Sequence, residues 1–378
     1  MCSGRPEGSE FQAGLQNKSD AGKIYKLIGM KNIRDLEIKE LTELIESMGE
    51  KSFRAAQLYQ WLHVKLADGF DEMTNLPKSL REKLSEDYYA TLPETVEVLT
   101  SRIDETKKFI NRMKDGHVIE SVWMKYQHGN SVCISSQVGC RMGCKFCAST
   151  LEGLARNLTS GEMLGQVYRM EKDTGERVDN IVIMGSGEPL DNYEEFTRFI
   201  RMISDKNGLN ISRRNITVST CGIVPRIREL ADENYGITLA LSLHAPNDET
   251  RKTLMPIANK YSLSEIMPAI EYYFEKTGRR VTFEYSVVEG VNDNKNEAQQ
   301  LVRLIHGMKQ KGKLQCHVNL IPVNPIKERD WKRPDRSKIE AFQHILEKNG
   351  IAATIRREMG SDISGSCGQL RRDYLSKE

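Results

Sequence analysis

The N-terminal quarter of the chain has the apolar spacing of amphipathic helices. The i, i+3, i+4, i+7 pattern, which places side chains on one helix face, is formed by Leu41, Leu44, Ile45 and Met48. A second amphipathic turn follows at Leu58, Trp61 and Leu62. The pattern predicts a small helical domain over residues 23–92. Residues 1–22, rich in Gly, Ser and charge, predict a disordered leader.

The period of the apolar pattern shortens to two over residues 93–128. Two runs of β-type residues, 109–113 and 118–124, flank the tetrapeptide Lys114-Asp115-Gly116-His117. An Asp-Gly pair between two such runs is a strong hairpin signal, because both residues tolerate the backbone angles of a tight turn. The sequence therefore predicts a β-hairpin extension.

The apolar pattern changes over residues 129–350, where short apolar runs alternate with helical stretches. The runs are 131–137, 180–185, 215–220, 237–244, 280–288 and 316–322. The helices are expected at about 161–172, 191–207, 223–234, 263–277 and 294–310. Six β–α units with apolar strands predict an α/β fold, a partial (β/α)6 TIM-type barrel. A last helix at 335–349 and a seventh run at 352–357 lead into a C-terminal strand and loop over residues 351–378.

Composition and charge narrow the classes of function. The 378 residues carry 55 basic and 53 acidic side chains, so the whole-chain field favours no partner and RNA would need a local basic surface. The chain has no apolar run of membrane-spanning length and no signal peptide, which predicts a cytoplasmic protein without membrane contact. Eight cysteines in such a chain indicate metal or redox chemistry.

Three cysteines, Cys140, Cys144 and Cys147, carry the most specific chemistry, with the spacing C-x3-C-x2-C. Three close thiolates can hold three corners of a [4Fe–4S] cube and leave the fourth iron open for substrate. A zinc site would prefer a second C-x2-C pair or added histidines, and a stable disulfide does not suit the cytosol. The pattern resembles the radical S-adenosylmethionine (SAM) enzymes, whose open iron binds SAM.

Polar residues that could bind SAM follow the later strands. Active groups of barrel enzymes gather at the carboxyl ends of the strands. The candidates there are Gly187, Glu188, Ser219, Ser242, Leu243, His244 and Asn324. Each taken alone is more often a turn or cap residue, and for His244 a structural hydrogen bond is expected rather than acid–base work.

The sequence alone does not decide the roles of three further residues and four arginine pairs. Cys133 precedes the trio by seven positions, and Cys367 has small neighbours that suit a loop. Glu120 is expected to be a charge on an edge strand. Each arginine pair is as consistent with a solvated surface as with an RNA contact. The pairs are Arg213-Arg214, Arg279-Arg280, Arg356-Arg357 and Arg371-Arg372.

At this point the chain resembles the RlmN family, the dual-specificity 23S rRNA/tRNA adenine C2-methyltransferases of the radical SAM superfamily. The resemblance runs from about residue 27 to the C-terminus, and it implies that the helical domain over residues 23–92 is an accessory RNA-binding domain. The motifs that carry it span 139–150, 185–192, 219–225, 242–248, 319–325 and 356–370. Ser364-Gly365-Ser366 departs from the usual Ala-Ala pair but keeps small residues.

The resemblance implies a reaction and its cofactors. Cys140, Cys144 and Cys147 would hold one [4Fe–4S] cluster, and two SAM molecules would be used per turnover. One SAM methylates Cys367, and a radical from the second takes a hydrogen from that methyl. The carbon radical adds to adenine carbon 2, Glu120 takes a proton, and Cys133 releases the RNA through a transient disulfide with Cys367.

The resemblance also implies partners and rivals. The partners are 23S rRNA at the peptidyl-transferase region, tRNA next to the anticodon, and a flavodoxin-type electron donor, with the enzyme monomeric. The nearest rival is carbon-8 methylation of the Cfr type, although Gly187-Glu188-Pro189 and Cys147-Ala148-Ser149-Thr150 look like RlmN. A radical SAM enzyme acting on protein would not need both Cys133 and Cys367. A non-enzymatic iron–sulfur scaffold would not cleave SAM.

Overall fold

The structure is a computed structural model that describes residues 29–308, 315–324 and 330–363. Cys367, the pair Arg371-Arg372 and the leader predicted over residues 1–22 lie outside these ranges.

The N-terminal residues form helices around a small apolar core of their own. The elements are β1 (Lys31–Asn32), α1 (Ile38–Ser47), α2 (Phe53–His63), α3 (Lys78–Asp87) and β2 (Tyr88–Tyr89), with β1 and β2 paired in parallel. Leu41 and Ile45 of α1 pack against Leu58 and Leu62 of α2 in this core. The helices confirm the amphipathic spacing, while the two-residue strand pair was not predicted from the sequence.

A ten-stranded sheet forms the centre of the molecule. Its antiparallel part contains β3 (Glu94–Thr100), β4 (Lys107–Arg112), β5 (Val118–Tyr126) and β6 (Gly129–Cys133). A separate antiparallel pair follows, β7 (Gln137–Gly139) with β8 (Leu154–Asn157). The parallel strands are β9 (Asn180–Ile183), β10 (Ile216–Thr220), β11 (Thr238–Ser242), β12 (Val281–Val287), β13 (Cys316–Pro322) and β14 (Ala353–Ile355).

The order of the strands confirms a partial barrel with a hairpin extension. From one edge to the other the order is β14-β13-β12-β11-β10-β9-β6-β5-β4-β3, and all neighbours from β6 to β14 are parallel. The predicted hairpin is β4–β5, with Ile110 opposite Glu120. The six parallel strands β6 and β9 to β13 match the six predicted units, and β14 adds the seventh run.

Helices connect the parallel strands and cover the sheet. They are α4 (Ser160–Thr174), α5 (Tyr193–Ile203), α6 (Val224–Glu233), α7 (Asp248–Leu254), α8 (Leu263–Thr277), α9 (Lys295–His306) and α10 (Arg336–Lys348). A capping box begins α4, since the Thr159 side chain accepts from Glu162 N–H and the Glu162 side chain accepts from Thr159 N–H. No helix in the described ranges is long and apolar enough to cross a membrane.

One strand was predicted to be longer than it is in the structure. The run 131–137 splits into β6, which ends at Cys133, and β7, which begins at Gln137. The backbone between them pairs with the loop after β9, where Gly185 N–H donates to Ile134 O at 3.0 Å and Ser136 N–H to Ser186 O at 2.9 Å. The cysteine trio therefore follows β7 and not the first barrel strand.

The two edges of the large sheet are tied together beyond β14. The Asp362 carboxylate accepts hydrogen bonds from Ser101 Oγ at 2.6 Å and from Arg102 N–H at 2.9 Å. Gly360 N–H donates to the Asp104 carboxylate at 2.9 Å. Because Ser101 and Asp104 lie in the turn between β3 and β4, this clamp joins the segment after the last strand to the opposite edge.

Candidate active site at the carboxyl ends of the strands

Hydrogen bonds within the loop that carries the three cysteines fix its conformation. Cys140 N–H donates to Gly153 O at 2.9 Å, and Cys147 N–H to Cys144 O at 3.2 Å. The Thr150 hydroxyl donates to the carbonyls of Cys144 and Cys147 at 3.0 and 2.9 Å. Gly139, at φ +75°, must be glycine because a Cβ there would collide with the Gly153 carbonyl.

The three thiols lie within each other's electrostatic field. Burial, together with the charge of the neighbouring Cys147, raises the pKa of Cys140 to about 12. Burial also raises the pKa of Cys144, helped by the charges of Cys147 and Cys140. Such thiols become thiolates only when cations neutralise them, as the irons of a cluster do.

The donor set, three thiols on one loop, suits an iron–sulfur cluster, because each thiolate of such a cluster binds its own iron. The surroundings are apolar: Met142, Cys144 and Phe146 pack against Met255 and Val323.

A cavity of about 670 Å³ opens beside this loop. Most of the predicted site residues line it: Glu120, Cys133, Cys147, Ser219, Ser242, His244 and Asn324. The hydroxyls of Ser219 and Ser242 are 3.2 Å apart, and the Asn324 Oδ1 accepts from Arg333 at 2.7 Å. Hydroxyl and amide groups in a partly apolar cleft suit a nucleoside.

His244 has the structural hydrogen bond that the sequence led us to expect. Its Nδ1 accepts from Ser286 N–H at 2.9 Å, and its ring meets the Phe146 ring edge-on at 4.7 Å between centroids. Burial, with a smaller contribution from Arg251, lowers its pKa to about 3. His244 is therefore neutral at physiological pH.

Gly187, Glu188 and Leu243 contribute through the backbone and the core. At Gly187, φ is +107° and a Cβ would meet Gln137 N at 2.7 Å, so this glycine lets two backbones pack rather than admitting a ligand directly. The buried Glu188 carboxylate accepts from Leu190 N–H at 3.1 Å and Cys221 N–H at 2.7 Å. The Leu243 side chain is fully buried. SAM binding by these residues stays a prediction.

Glu120 is not the edge-strand charge expected from the sequence alone. It lies on β5, between β4 and β6, with 5% of its surface exposed, and it faces the cavity. Its Oε2 is 3.2 Å from Nζ of Lys108, which is fully buried on β4. The alternation of a strand does not reveal which strands flank it, so the sequence could not place this carboxylate inside.

Cys133 ends β6 on the same cavity wall, opposite Val122 of β5. Burial raises the pKa of its thiol, while the Arg356 guanidinium opposes that shift. All six cysteines in the described ranges are free thiols. The transient disulfide implied by the resemblance would need Cys367, so the expected disulfide has no support in the described structure.

Sequence reasoning missed buried polar residues that shape the site. Arg251 is fully buried and donates to Cys221 O at 2.7 Å and Leu243 O at 3.2 Å, which fixes the ends of β10 and β11. Glu284 lines the cavity floor and accepts from Asn319 at 3.0 Å. Arg251 lies three positions after the end of the 242–248 motif. This closeness to a motif is a signal that could have identified it.

The arginine pairs divide between two faces. Arg356 and Arg357 line the cavity. Arg213, Arg214 and Arg279 instead line a separate depression of about 520 Å³, near the amino ends of β10 and β12. The two groups therefore lie in different depressions of the surface.

Two family models match the chain. The model described as Ribosomal RNA large subunit methyltransferase N-terminal domain matches residues 31–89, and the Radical SAM superfamily model matches residues 134–304. The fold, the loop that carries the three cysteines and the match to the Radical SAM superfamily model define the class of the protein. It is a radical SAM enzyme, and such enzymes use a [4Fe–4S] cluster and SAM.

Curated relatives give the family. "Probable dual-specificity RNA methyltransferase RlmN" of Lachnospira eligens is 60% identical over 346 residues, covering 92% of this chain and 97% of the relative. The protein of the same name from Clostridium perfringens is 55% identical over 349 residues, covering 92% and 99%. The chain belongs to the RlmN family of RNA methyltransferases, and the Cfr alternative is not favoured.

A solved structure agrees with this assignment. The crystal structure of a radical SAM methyltransferase from Sphaerobacter thermophilus has a TM-score of 0.84 and 44% identity. The match covers 89% of this chain and 98% of that chain.

Proposed function

We propose that this enzyme methylates carbon 2 of an adenosine in the peptidyl-transferase region of 23S rRNA and of the adenosine next to the anticodon in tRNA. The observation that carries the proposal is one cavity whose wall contains Cys133, Glu120 and Cys147 of the loop that carries the three cysteines. Family membership supports the RNA substrate. Carbon 2 of adenine is electron-poor, so ordinary polar methyl transfer fails there and radical chemistry is required.

The residues at the cavity define where the cofactors would bind. Cys140, Cys144 and Cys147 would hold the cluster, and Ser219, Ser242 and Asn324 would offer polar groups to the SAM nucleoside. When bound, the cluster and SAM supply the organic radical that begins the reaction. Two SAM molecules are used per turnover, one to methylate Cys367 and one as radical source.

The protein side chains then divide the remaining steps. The methylene radical on Cys367 would add to carbon 2, and the cluster, when bound, would accept the electron that the adduct radical gives up. Glu120 accepts the carbon-2 proton, which restores the aromatic ring. The Cys133 thiolate attacks the Cys367 sulfur, forming the S–S bond and breaking the S–C bond. The methylene carbon keeps that electron pair and takes a proton to become the methyl group.

Access for RNA comes from the cavity mouth. Arg356 and Arg357 lie there and offer guanidinium groups to phosphates, while the target base leaves its stack to enter the cavity. We further propose a flavodoxin-type electron donor, a monomeric enzyme and a cytoplasmic location.

Anaerobic turnover tests the proposed function. The cluster-loaded enzyme, SAM, a reductant and an unmodified 23S rRNA fragment are combined, and digested RNA is analysed by mass spectrometry. We expect 2-methyladenosine from the wild type and none from Cys367→Ala. Formation of 8-methyladenosine would transfer the protein to the Cfr reaction. SAM cleavage without a methylated base would contradict the RNA assignment.

A further inference from the structure

Lys108 occupies an unusual position beside the proposed base. It lies on β4 opposite Val122 of β5, and Val122 in turn lies opposite Cys133 of β6. Glu120 is two residues from Val122 on β5, so it is the diagonal neighbour of Lys108. Residues related in this way share one face of a sheet, which here is the face towards the cavity.

The pair formed by Lys108 and Glu120 is buried on both sides. The Lys108 side chain has no exposed surface, that of Glu120 has 5%, and Nζ is 3.2 Å from Oε2. Placing a lysine ammonium in a protein interior is costly unless an anion faces it. Apolar residues would pack at this position at lower cost, so packing alone does not account for a lysine here.

Only one member of the pair reaches the reacting groups. Glu120 lines the cavity, together with its neighbours Ser121 and Val122, whereas Lys108 lies behind it, away from the lining. A substrate atom in the cavity can therefore exchange a proton with Glu120 but cannot touch Lys108. Any effect of Lys108 on the reaction passes through the charge and orientation of its neighbours.

We propose that Lys108 is the positioning residue that holds Glu120 as an oriented carboxylate for removal of the carbon-2 proton. This inference rests on the proposed function, which supplies the role of Glu120. The ammonium, 3.2 Å from Oε2, fixes the direction in which the carboxylate faces the cavity. Its field also reaches Cys133, where it opposes the rise in the thiol pKa caused by burial.

The structure defines a set of variants. Lys108→Met removes the charge at nearly constant length, and Lys108→Gln removes it but keeps a hydrogen-bond donor. The double variant Lys108→Met/Glu120→Gln makes both members of the pair neutral. The control is Lys107→Met, because Lys107 precedes Lys108 on β4 and points to the opposite face.

The experiment separates radical formation from product release. Each cluster-loaded variant receives SAM, reductant and rRNA fragment, and 5′-deoxyadenosine, 2-methyladenosine and protein-linked RNA on a denaturing gel are measured. We expect Lys108→Met and Lys108→Gln to form 5′-deoxyadenosine as the wild type does, to release 2-methyladenosine about 100-fold more slowly, and to accumulate protein-linked RNA. Lys107→Met should behave as wild type.

Additivity gives the decisive comparison. Because Lys108 acts through Glu120, the double variant should be no slower than Glu120→Gln alone. Losses that add in the double variant, or normal product release from folded Lys108→Gln, would overturn the proposal. Loss of 5′-deoxyadenosine formation along with product would assign Lys108 a structural role and overturn it as well. If the wild type itself makes no 2-methyladenosine, the proposed function fails instead.

Discussion

Two histidines are buried in neutral form. His63 of α2 is fully buried, its Nδ1 is 2.8 Å from the Tyr168 hydroxyl, and burial and the nearby Arg34 lower its pKa to about 3. His244 is neutral for the same main reason. A proton on either ring would place an unpaired cation in the interior, so both histidines link the stability of the fold to pH.

The sign of this linkage follows from the direction of the shift. The unfolded chain binds a proton on each histidine below pH about 6.5, whereas the folded protein binds it only near pH 3. Stability from His63 is therefore fully present above pH 6.5 and is lost as pH falls towards 3. The loss is about 1.4 kcal/mol per pH unit for each histidine within this window.

We predict that His63→Phe makes unfolding less dependent on pH. The variant should lose about 1.4 kcal/mol less than the wild type for each pH unit below 6.5, because one titrating ring is gone. Free energies of unfolding in urea at pH 7.5, 6.5 and 5.5 measure this difference. Replacing the exposed His128 by Phe is the control, and equal slopes for His63→Phe and wild type would refute the prediction.

The turn after β9 shows how an element places the site. Gly185 and Gly187 lie against the backbone of Ile134 and Gln137, and Gln137 Oε1 accepts from Glu188 N–H at 2.9 Å. A side chain at either glycine would push the two segments apart. The turn that carries Glu188 is therefore fixed by contact with the chain that leads to the cysteine loop.

We expect Gly187→Ala to weaken SAM binding and to destabilise the protein by about 1–3 kcal/mol. The reasons are the positive φ of +107° and the 2.7 Å approach of a Cβ to Gln137 N. Calorimetric SAM titration and thermal unfolding of the cluster-loaded protein measure both effects. Gly175→Asn is the matched control, since φ is +69° there and a Cβ would meet nothing within 4 Å. Unchanged SAM affinity in Gly187→Ala would contradict the expectation.

Elements with local signals could be predicted, and those set by distant contacts could not. The helix expected at 263–277 is α8, Leu263–Thr277, which has a capping box at Ser262 and a left-handed Gly278. The seven-residue α7 has too few residues for a visible apolar period. Likewise, the inward position of Glu120 depends on β4 and β6 as its flanking strands, which pairing decides and local pattern does not.

Charge is distributed over the whole molecule in separate patches. The net charge is +2, so attraction to RNA must come from local groups of arginines. Arg356 and Arg357 surround the cavity, while Arg213 and Arg214 lie in the depression at the amino ends of the strands. The fold thus provides an internal comparison between two similar pairs at different distances from the site.

We predict that Arg356→Gln/Arg357→Gln weakens binding of the rRNA fragment and lowers its salt dependence. Each lost phosphate contact should reduce the slope of log affinity against log salt by about 1. Fluorescence anisotropy titrations between low and moderate salt give these slopes. Arg213→Gln/Arg214→Gln is the matched control. A larger effect from the control pair would place the RNA on the opposite face of the barrel.

The clamp beyond β14 acts as the fixed end of a short tether. Asp362 and Gly360 are held by the turn between β3 and β4, and Cys367 follows Ile363 by only four residues. A chain spans at most about 3.5 Å per residue, so covalent connectivity alone keeps the Cys367 sulfur within roughly 14 to 20 Å of the anchor. In the proposed reaction, Cys133 would therefore attack this sulfur over a short span of the same chain, and residues inserted after Ile363 would lower the effective concentration of one thiol at the other.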